Sequence, residues 1–192
     1  MRQRLIAVLV GVGLALTLTA CGGEGDEPGG SASASTGASS SSEPRPSGSS
    51  SPEVNVSSEG MPTVQADGNG IPEFTFPEGK PPADMQVSVL EEGKGREIEP
   101  EDFLIVNYVG QVWDADEPFD MSYNTGEPAS FPLPNLVPGW AYTLTGRHVG
   151  DKVIISLPPE YGYQEAGNQR AGIGGEATSV FYIEVVAGWS AD

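Results

Sequence analysis

The stretch from Leu136 to Leu144 constrains the fold more than any other, because it is the only convincing amphipathic helix start after the first twenty residues. Pro138 suits the first turn of a helix, where its missing N–H has no intrahelical partner. Trp140 and Leu144 are four residues apart and share one face. Gly146 can end the helix in a left-handed conformation. About two turns of helix are unstable alone in water, so we expect the helix to pack on a sheet, with Trp140 as the floor of an apolar pocket.

Strand patterns follow one another over the C-terminal half of the chain. Short alternating or apolar runs are separated by turn signals. The predicted strands cover residues 87–90, 103–113, 119–123, 129–133, 153–157 and 178–186. In the last strand, Val180 and Tyr182 lie on one face, and Phe181 and Ile183 lie on the other. Because most connections are short, we predict an α+β domain over residues 85–192, an antiparallel sheet carrying one short helix.

The N-terminus has the pattern of an export signal followed by a lipid anchor. A basic start precedes an apolar run that is short for a membrane-spanning helix. Leu18-Thr19-Ala20-Cys21 then resembles the bacterial lipobox, whose cysteine is diacylated and becomes the mature N-terminus. We therefore expect a signal peptide over residues 1–20, lipidation at Cys21, and localisation on the extracytoplasmic face of the cell membrane. An ordinary secreted protein with a free thiol is the alternative.

Residues 21–84 are expected to form a disordered tether that ends in an extended lead-in to the domain. Residues 22–52 contain no aromatic or branched aliphatic residue, so they cannot bury enough apolar area to offset the entropy of ordering. From Val54 onward hydrophobic residues return sparsely, and several prolines disfavour a regular helix or a central strand. Phe74-Thr75-Phe76 alternates, which fits a short strand or an extended segment along the domain.

Composition narrows the function. The formal net charge of −18 at pH 7 argues against nucleic acid as a partner, since its phosphates would be repelled. One cysteine and one histidine remove Cys/His zinc sites and cysteine–histidine nucleophilic pairs. No serine nucleophile or carboxylate pair stands out, and we expect no cofactor and no metal. Asp120 beside Phe119 is notable, because an acid next to a buried aromatic is either a turn residue or a hydrogen-bond acceptor in a pocket.

Six short motifs follow one another along the predicted domain. They are Val106-Asn107-Tyr108-Val109-Gly110, Phe119-Asp120, Val137-Pro138-Gly139-Trp140, Val149-Gly150, Pro158-Pro159-Glu160-Tyr161-Gly162-Tyr163 and Thr178-Ser179-Val180-Phe181. Each motif is weak alone, but the ordered set is specific. On these motifs, residues 85–188 resemble an FKBP-type peptidyl-prolyl cis-trans isomerase domain. The resemblance implies a twisted five-stranded antiparallel sheet wrapped on one short helix, and a rotamase acting in protein folding.

Position by position, the resemblance also implies a proline pocket. Its residues are Tyr108, Phe119, Asp120, Phe131, Val137, Trp140, Tyr163, Ile173 and Phe181. In the family the proline ring lies on the tryptophan, here Trp140, and the Val137 N–H and the Tyr163 hydroxyl hold substrate carbonyls. Asp120 accepts a polar contact at the edge. The implied partners are proline-containing polypeptides, exported ones in this setting, and macrolide inhibitors such as tacrolimus and rapamycin. We expect a monomer.

Such a pocket would work on the X-Pro bond without an acid or a base. A twisted amide has less charge separation than a planar amide, so an apolar pocket disfavours the twisted form less than water does. If the pocket binds the twisted form more tightly than either planar isomer, that difference in binding is the catalysis. The amide would then rotate while it is held in the pocket.

Four positions depart from the family pattern. Ala129 stands where an aromatic is common, Gln164 where glycine is usual, Asn168 where histidine is common, and Gly174-Gly175 where a proline pair is common. We expect a lower pocket wall, an altered turn after Tyr163 and a looser loop over the site. The alternative function is therefore a proline-peptide-binding chaperone of the cell envelope that does not catalyse. A third reading is a purely structural lipoprotein.

Overall fold

The computed structural model describes residues 52–190, so the predicted signal peptide, Cys21 and the first part of the predicted tether lie outside the described residues. The described part contains nine strands and one α-helix. The strands are β1 Val54–Val56, β2 Thr63–Ala66, β3 Pro72–Thr75, β4 Met85–Glu91, β5 Asp102–Val112, β6 Asp120–Met121, β7 Ala129–Pro132, β8 Lys152–Leu157 and β9 Ser179–Ser190, and the helix is α1 Pro138–Leu144. Over this part of the chain, no helix is both long and apolar enough to cross a membrane.

Seven of these strands form one sheet around α1, which confirms the predicted α+β class. The strand order is β1-β4-β8-β9-β5-β6, and β7 also pairs with β5. The sheet has seven strands where five were predicted. One addition is β1, which comes from the N-terminal lead-in and runs parallel to β4, whereas the other pairs in the sheet are antiparallel. A proline-rich segment can supply such a strand, because an edge position leaves one row of backbone groups unpaired.

The helix lies where the sequence predicts it. It begins at Pro138 and ends at Leu144, and Trp140 and Leu144 are both buried. Gly146 has a φ of +80°, as predicted for the residue that ends the helix, and its N–H donates a hydrogen bond of 2.9 Å to the Ile98 carbonyl. The buried face of the helix packs on the inner face of the sheet, so the predicted helix-on-sheet arrangement is confirmed.

Gly139 sets how closely the helix approaches the sheet. A Cβ atom placed on this residue would overlap the side chain of Leu157 on β8 and lie 2.9 Å from the Tyr161 carbonyl oxygen. Glycine therefore allows α1 to pack directly on β8, and Trp140, the next residue, is carried down to the sheet surface with it.

The two faces of β9 alternate as predicted. Phe181 and Ile183 belong to the main core under α1, whereas Val180 lies on the opposite face of the sheet. The main core is built from residues of β4, β5, β8, β9 and α1, among them Met85, Val87, Leu104, Val106, Leu144, Val153, Ile155 and Val185. The opposite face carries a second, smaller apolar cluster, which contains Ile154 together with Val180.

An N-terminal layer, which we define as residues 61–76, covers that second face. β2 and β3 form an antiparallel hairpin in which Val64 is paired with Phe74. Met61 is only 5% exposed and is buried in one cluster with Ile154 and Val180, and Phe74 packs against that cluster. The ring of Phe76 lies 5.4 Å from that of Trp113, between ring centroids. These aromatic and aliphatic side chains find apolar partners on a sheet face that would otherwise meet water.

The segment ahead of the layer is also tied to the sheet. The buried Gln86 side chain donates hydrogen bonds to the carbonyls of Ser57 at 3.0 Å and Glu59 at 2.7 Å. Together with β1, these bonds fix residues 54–59 along the edge strand β4. Residues 54–76, which were predicted to be part of the tether and its extended lead-in, therefore belong to the fold, although the domain was predicted to begin at residue 85.

Candidate functional site

A cavity of about 120 Å³ lies between α1 and the inner face of the sheet. We call it the Trp140 cavity. Its lining is mainly aromatic and consists of Tyr108, Phe119, Asp120, Phe131, Leu136, Val137, Trp140, Tyr163 and Phe181. The cavity is much smaller than the ~300–1,000 Å³ pockets that enclose drug-sized ligands. It therefore suits one small ring, with the rest of a larger ligand lying across the rim.

Eight of the nine site residues named from the sequence line this cavity, and Ile173 does not. Ile173 is 3% exposed and forms a β-bridge with Asn168, so it is held in the loop beyond the rim. Leu136 lines the cavity in its place. It was recognised as part of the apolar start of α1 but was not among the positions carried over from the resemblance. Its backbone is extended just before the helix begins.

Separate elements bring the aromatic rings together. Tyr108 comes from β5, Phe131 from β7, Trp140 from α1 and Phe181 from β9. The Trp140 ring is 5.3 Å from the Phe181 ring and 6.1 Å from the Tyr108 ring between centroids, both nearly perpendicular. Phe131 meets Tyr108 in the same manner at 5.8 Å. Such edge-to-face pairs add to the energy of burial and hold each ring in one orientation, so the cavity is formed before any ligand arrives.

The outer wall depends on a glycine. Phe119 lies edge-on to Phe181 at 5.6 Å and to Tyr163 at 5.9 Å. A Cβ atom at Gly110 on β5 would lie 2.8 Å from the Phe119 ring and 2.9 Å from the Phe181 ring. Real Cβ contacts are longer than this, so glycine at position 110 is what lets both rings approach β5.

One hydrogen bond crosses the rim. The Tyr108 hydroxyl donates to Oδ2 of Asp120 at 2.7 Å. Burial and this carboxylate raise the pKa of Tyr108 well above its usual range. Burial and the charge of Asp120 likewise raise the pKa of Tyr163. Because both hydroxyls keep their protons at neutral pH, they act at the cavity as hydrogen-bond donors and not as bases.

Two donors at the cavity have no partner among residues 52–190. The backbone N–H of Val137 makes no hydrogen bond there, although the Val137 carbonyl accepts one of 3.0 Å from Trp140 N–H. The Tyr163 hydroxyl also has no partner within that range. A donor without a partner in a partly buried site costs free energy unless a ligand or water satisfies it. The arrangement can thus bind an apolar ring and hydrogen-bond acceptor groups attached to that ring.

The departures from the family pattern have definite positions. Gln164 has a φ of +55°, so it adopts the left-handed conformation that glycine adopts without strain. The expected altered turn is therefore a strained residue in a glycine-type backbone conformation. Ala129 is half-buried opposite Val106 and does not line the cavity. Gly175 lies so close to the backbone of Glu165 that a Cβ atom would overlap it.

Neither a cofactor nor a metal site was predicted. Within the part of the chain that the structure describes, no group of three or more His, Cys, Asp or Glu side chains is placed to hold a metal ion.

Comparison with known proteins gives the same picture. A family model described as FKBP-type peptidyl-prolyl cis-trans isomerase matches residues 94–186. A probable FK506-binding protein of Corynebacterium glutamicum is 33% identical over 118 residues, which are 60% of this chain and 97% of that protein. The FKBP-type peptidyl-prolyl cis-trans isomerase FkpA of Escherichia coli is 41% identical over 98 residues, which are 51% of this chain and 35% of FkpA.

The similarity extends to a solved structure. The crystal structure of FkpA from Escherichia coli superimposes with a TM-score of 0.52 and 32% sequence identity, covering 67% of this chain and 53% of that chain. The present chain thus spans nearly all of the Corynebacterium protein but only about a third to a half of FkpA. The family model, the similarity over nearly all of the Corynebacterium protein and the shared fold agree, and the chain belongs to the family of FKBP-type peptidyl-prolyl cis-trans isomerases.

Proposed function

We propose that this domain isomerises X-Pro bonds of exported polypeptides by binding the twisted amide in the Trp140 cavity. One observation carries the proposal. A small aromatic cavity, sized for a single ring, stands beside two hydrogen-bond donors without partners, the Val137 N–H and the Tyr163 hydroxyl. A prolyl residue offers the complementary shape, namely one compact apolar ring with a carbonyl on each side.

The barrier that must be lowered is the loss of amide resonance. Rotation about a peptide bond faces ~18–20 kcal/mol, and X-Pro bonds interconvert in tens to hundreds of seconds. At the twisted geometry the amide is less polar than in either planar isomer. Aromatic walls that exclude water therefore favour the twisted form relative to bulk solvent. Each 1.36 kcal/mol by which the site binds this form more tightly than the planar forms accelerates rotation about tenfold.

Each side chain then has a defined part. Trp140 supports the proline ring from below, and Phe119 and Phe131 form apolar walls beside the amide. The Val137 N–H and the Tyr163 hydroxyl hold the flanking carbonyls, so that one end of the amide stays fixed while the other rotates. Asp120 is engaged by the Tyr108 hydroxyl, and it borders the site as an acceptor.

The direct test is exchange NMR of a proline tetrapeptide with the full chain. We expect cis–trans exchange to accelerate in proportion to protein concentration, and tacrolimus or rapamycin to abolish the acceleration. The rate constant should be nearly flat over roughly pH 6–8, because raised pKa values keep Tyr108 and Tyr163 protonated throughout. A bell-shaped profile would contradict this mechanism. Binding of the peptide without any acceleration would support the chaperone alternative.

Export and anchoring rest on the N-terminal sequence alone. We propose that Cys21 is diacylated and holds the protein on the extracytoplasmic face of the cell membrane, on the strength of the lipobox-like Leu18-Thr19-Ala20-Cys21. A fatty-acid probe supplied to growing cells should label the wild-type chain and not the Cys21→Ala chain. The variant should also appear in the medium. Equal labelling of both chains would place the anchor elsewhere.

A further inference from the structure

A second cavity, which we call the flanking subsite, adjoins the Trp140 cavity and has a volume of about 250 Å³. It is lined by Phe119, Asp120, Tyr163, Asn168, Arg170 and Ala171, and the first three of these also line the Trp140 cavity. The two cavities therefore share one wall. A peptide whose proline occupies the Trp140 cavity can therefore place a neighbouring residue in the flanking subsite.

The far wall of the flanking subsite is a closed loop. Asn168 N–H donates to the Ile173 carbonyl at 2.8 Å, and Ile173 N–H donates back to the Asn168 carbonyl at 2.9 Å. The Asn168 side chain accepts a third bond, of 3.2 Å, from Ala171 N–H. Gly172 completes the turn with a φ of +71°. This bonding uses the Asn168 amide oxygen and leaves its NH₂ group as a donor, and it presents Arg170 at the tip of a braced turn.

Arg170 is unusual in its surroundings. Residues 52–190 contain 22 Asp and Glu but only six Lys and Arg. Arg96 and Lys152 form ion pairs with acidic residues, whereas Arg170 has no ion pair within the described part of the chain. It is the single cationic side chain lining either the Trp140 cavity or the flanking subsite. Its guanidinium is exposed, and no carboxylate of the described residues lies within ion-pair distance of it, although Asp120 lines the same subsite.

The remaining charge in the subsite lies on the shared wall. Asp120 has one carboxylate oxygen engaged by the Tyr108 hydroxyl, on the Trp140 side. The polar side chains of the opposite wall offer donors, namely the Asn168 NH₂ group and the Arg170 guanidinium. We infer that the flanking subsite selects substrates carrying a carboxylate side chain next to the proline, with Arg170 as the specificity-determining residue. This inference rests on the proposed function and specifies its substrate class.

The test compares two series of tetrapeptides by exchange NMR with the full chain. In one series Glu, Gln or Lys precedes the proline, and in the other the same residue follows it. In at least one series the wild type should favour Glu over Gln in kcat/KM by about two- to fivefold, the range of a solvent-exposed ion pair. The preference should fade in about 1 M NaCl, where the Debye length falls to ~3 Å.

Three variants distinguish a local effect of Arg170 on substrate preference from an effect of the protein's net charge. Arg170→Gln should bring the Glu-to-Gln ratio to about one, and Arg170→Lys should restore most of it. Lys94→Gln removes the same charge at an exposed position outside both cavities and should leave the ratio unchanged. The inference is overturned if the Gln peptides are accelerated but Glu gives no advantage, if Lys is favoured, or if Arg170→Gln keeps the preference. If no peptide is accelerated, the proposed function fails and the inference fails with it.

Discussion

Replacing Phe119 with alanine should lower kcat/KM for a proline tetrapeptide by roughly ten- to a hundredfold while the sheet stays folded. The Phe119 ring stands between Phe181 at 5.6 Å and Tyr163 at 5.9 Å and forms a wall common to both cavities. Burying a side chain of this size is worth about 1.5–3 kcal/mol. Without this ring, water reaches the twisted amide, and the site binds the twisted form less tightly. Since that binding is the proposed source of catalysis, kcat/KM falls.

The matched control is Phe103→Ala. Phe103 is also a half-buried phenylalanine with an aromatic neighbour, since its ring stacks on Trp189 at 5.8 Å, but it lines neither cavity. This variant should keep kcat/KM close to that of the wild type. Thermal unfolding of both variants would show whether the loss of activity exceeds the loss of stability. Equal kcat/KM in the two variants would mean that Phe119 is not a wall of the catalytic site.

A chain that begins at residue 85 should be far less stable than one that begins at residue 52. Without the N-terminal layer and β1, the outer face of the sheet exposes Ile154 and Val180, which are both 0% exposed in the intact domain, as well as Trp113. Each fully buried aliphatic side chain contributes about 1.5–3 kcal/mol. The expected loss is thus several kcal/mol, against a total of ~5–15 kcal/mol for a typical domain. Urea denaturation of the two chains measures the difference directly.

Point substitutions give the same test without truncation. Met61→Ala, at a position that is 5% exposed, should cost about 2–5 kcal/mol. Val56→Ala, at a position that is 61% exposed on β1, should change stability by less than ~0.5 kcal/mol. If the chain from residue 85 unfolds at the same urea concentration as the longer chain, the tether extends to residue 84 after all, and the layer contributes nothing.

The parts of the fold that the sequence predicts are those with a local pattern. The start of α1 is visible because Pro138 suits the first turn of a helix, and Trp140 and Leu144 follow at the helical spacing of four residues. The face alternation of β9 is visible for the same reason, since neighbouring residues on one strand point to opposite sides. The site residues were named position by position from the family resemblance, which included Phe131 and Ile173 but not Leu136. The cavity lining contains Phe131 and Leu136 and does not contain Ile173.

What the sequence does not reveal depends on distant contacts. Nothing near Met61 or Phe76 indicates that a sheet face bearing Ile154 and Val180 needs a cover. The five prolines therefore predicted only an extended lead-in, with a short strand or an extended segment at residues 74–76. The end of β9 also depends on a residue that is distant in the sequence. It was predicted to stop at residue 186 but continues to Ser190, because Trp189 stacks on Phe103 at the far end of β5. Pairing of segments more than eighty residues apart leaves no local trace.

The position of β9 in the sheet also determines when the domain can fold. β9, the last strand along the described residues, lies between β8 and β5, and its pairing with β5 runs from Asp102 with Ser190 to Val112 with Ser179. Until that strand leaves the ribosome, β5 and β8 have no neighbour to join them, and α1 has no complete surface to cover. Closing so long a loop is slow compared with local structure formation. Before β9 joins the sheet, the Trp140 cavity lacks the Phe181 wall that this strand supplies, so the site is complete only once the central strand has paired.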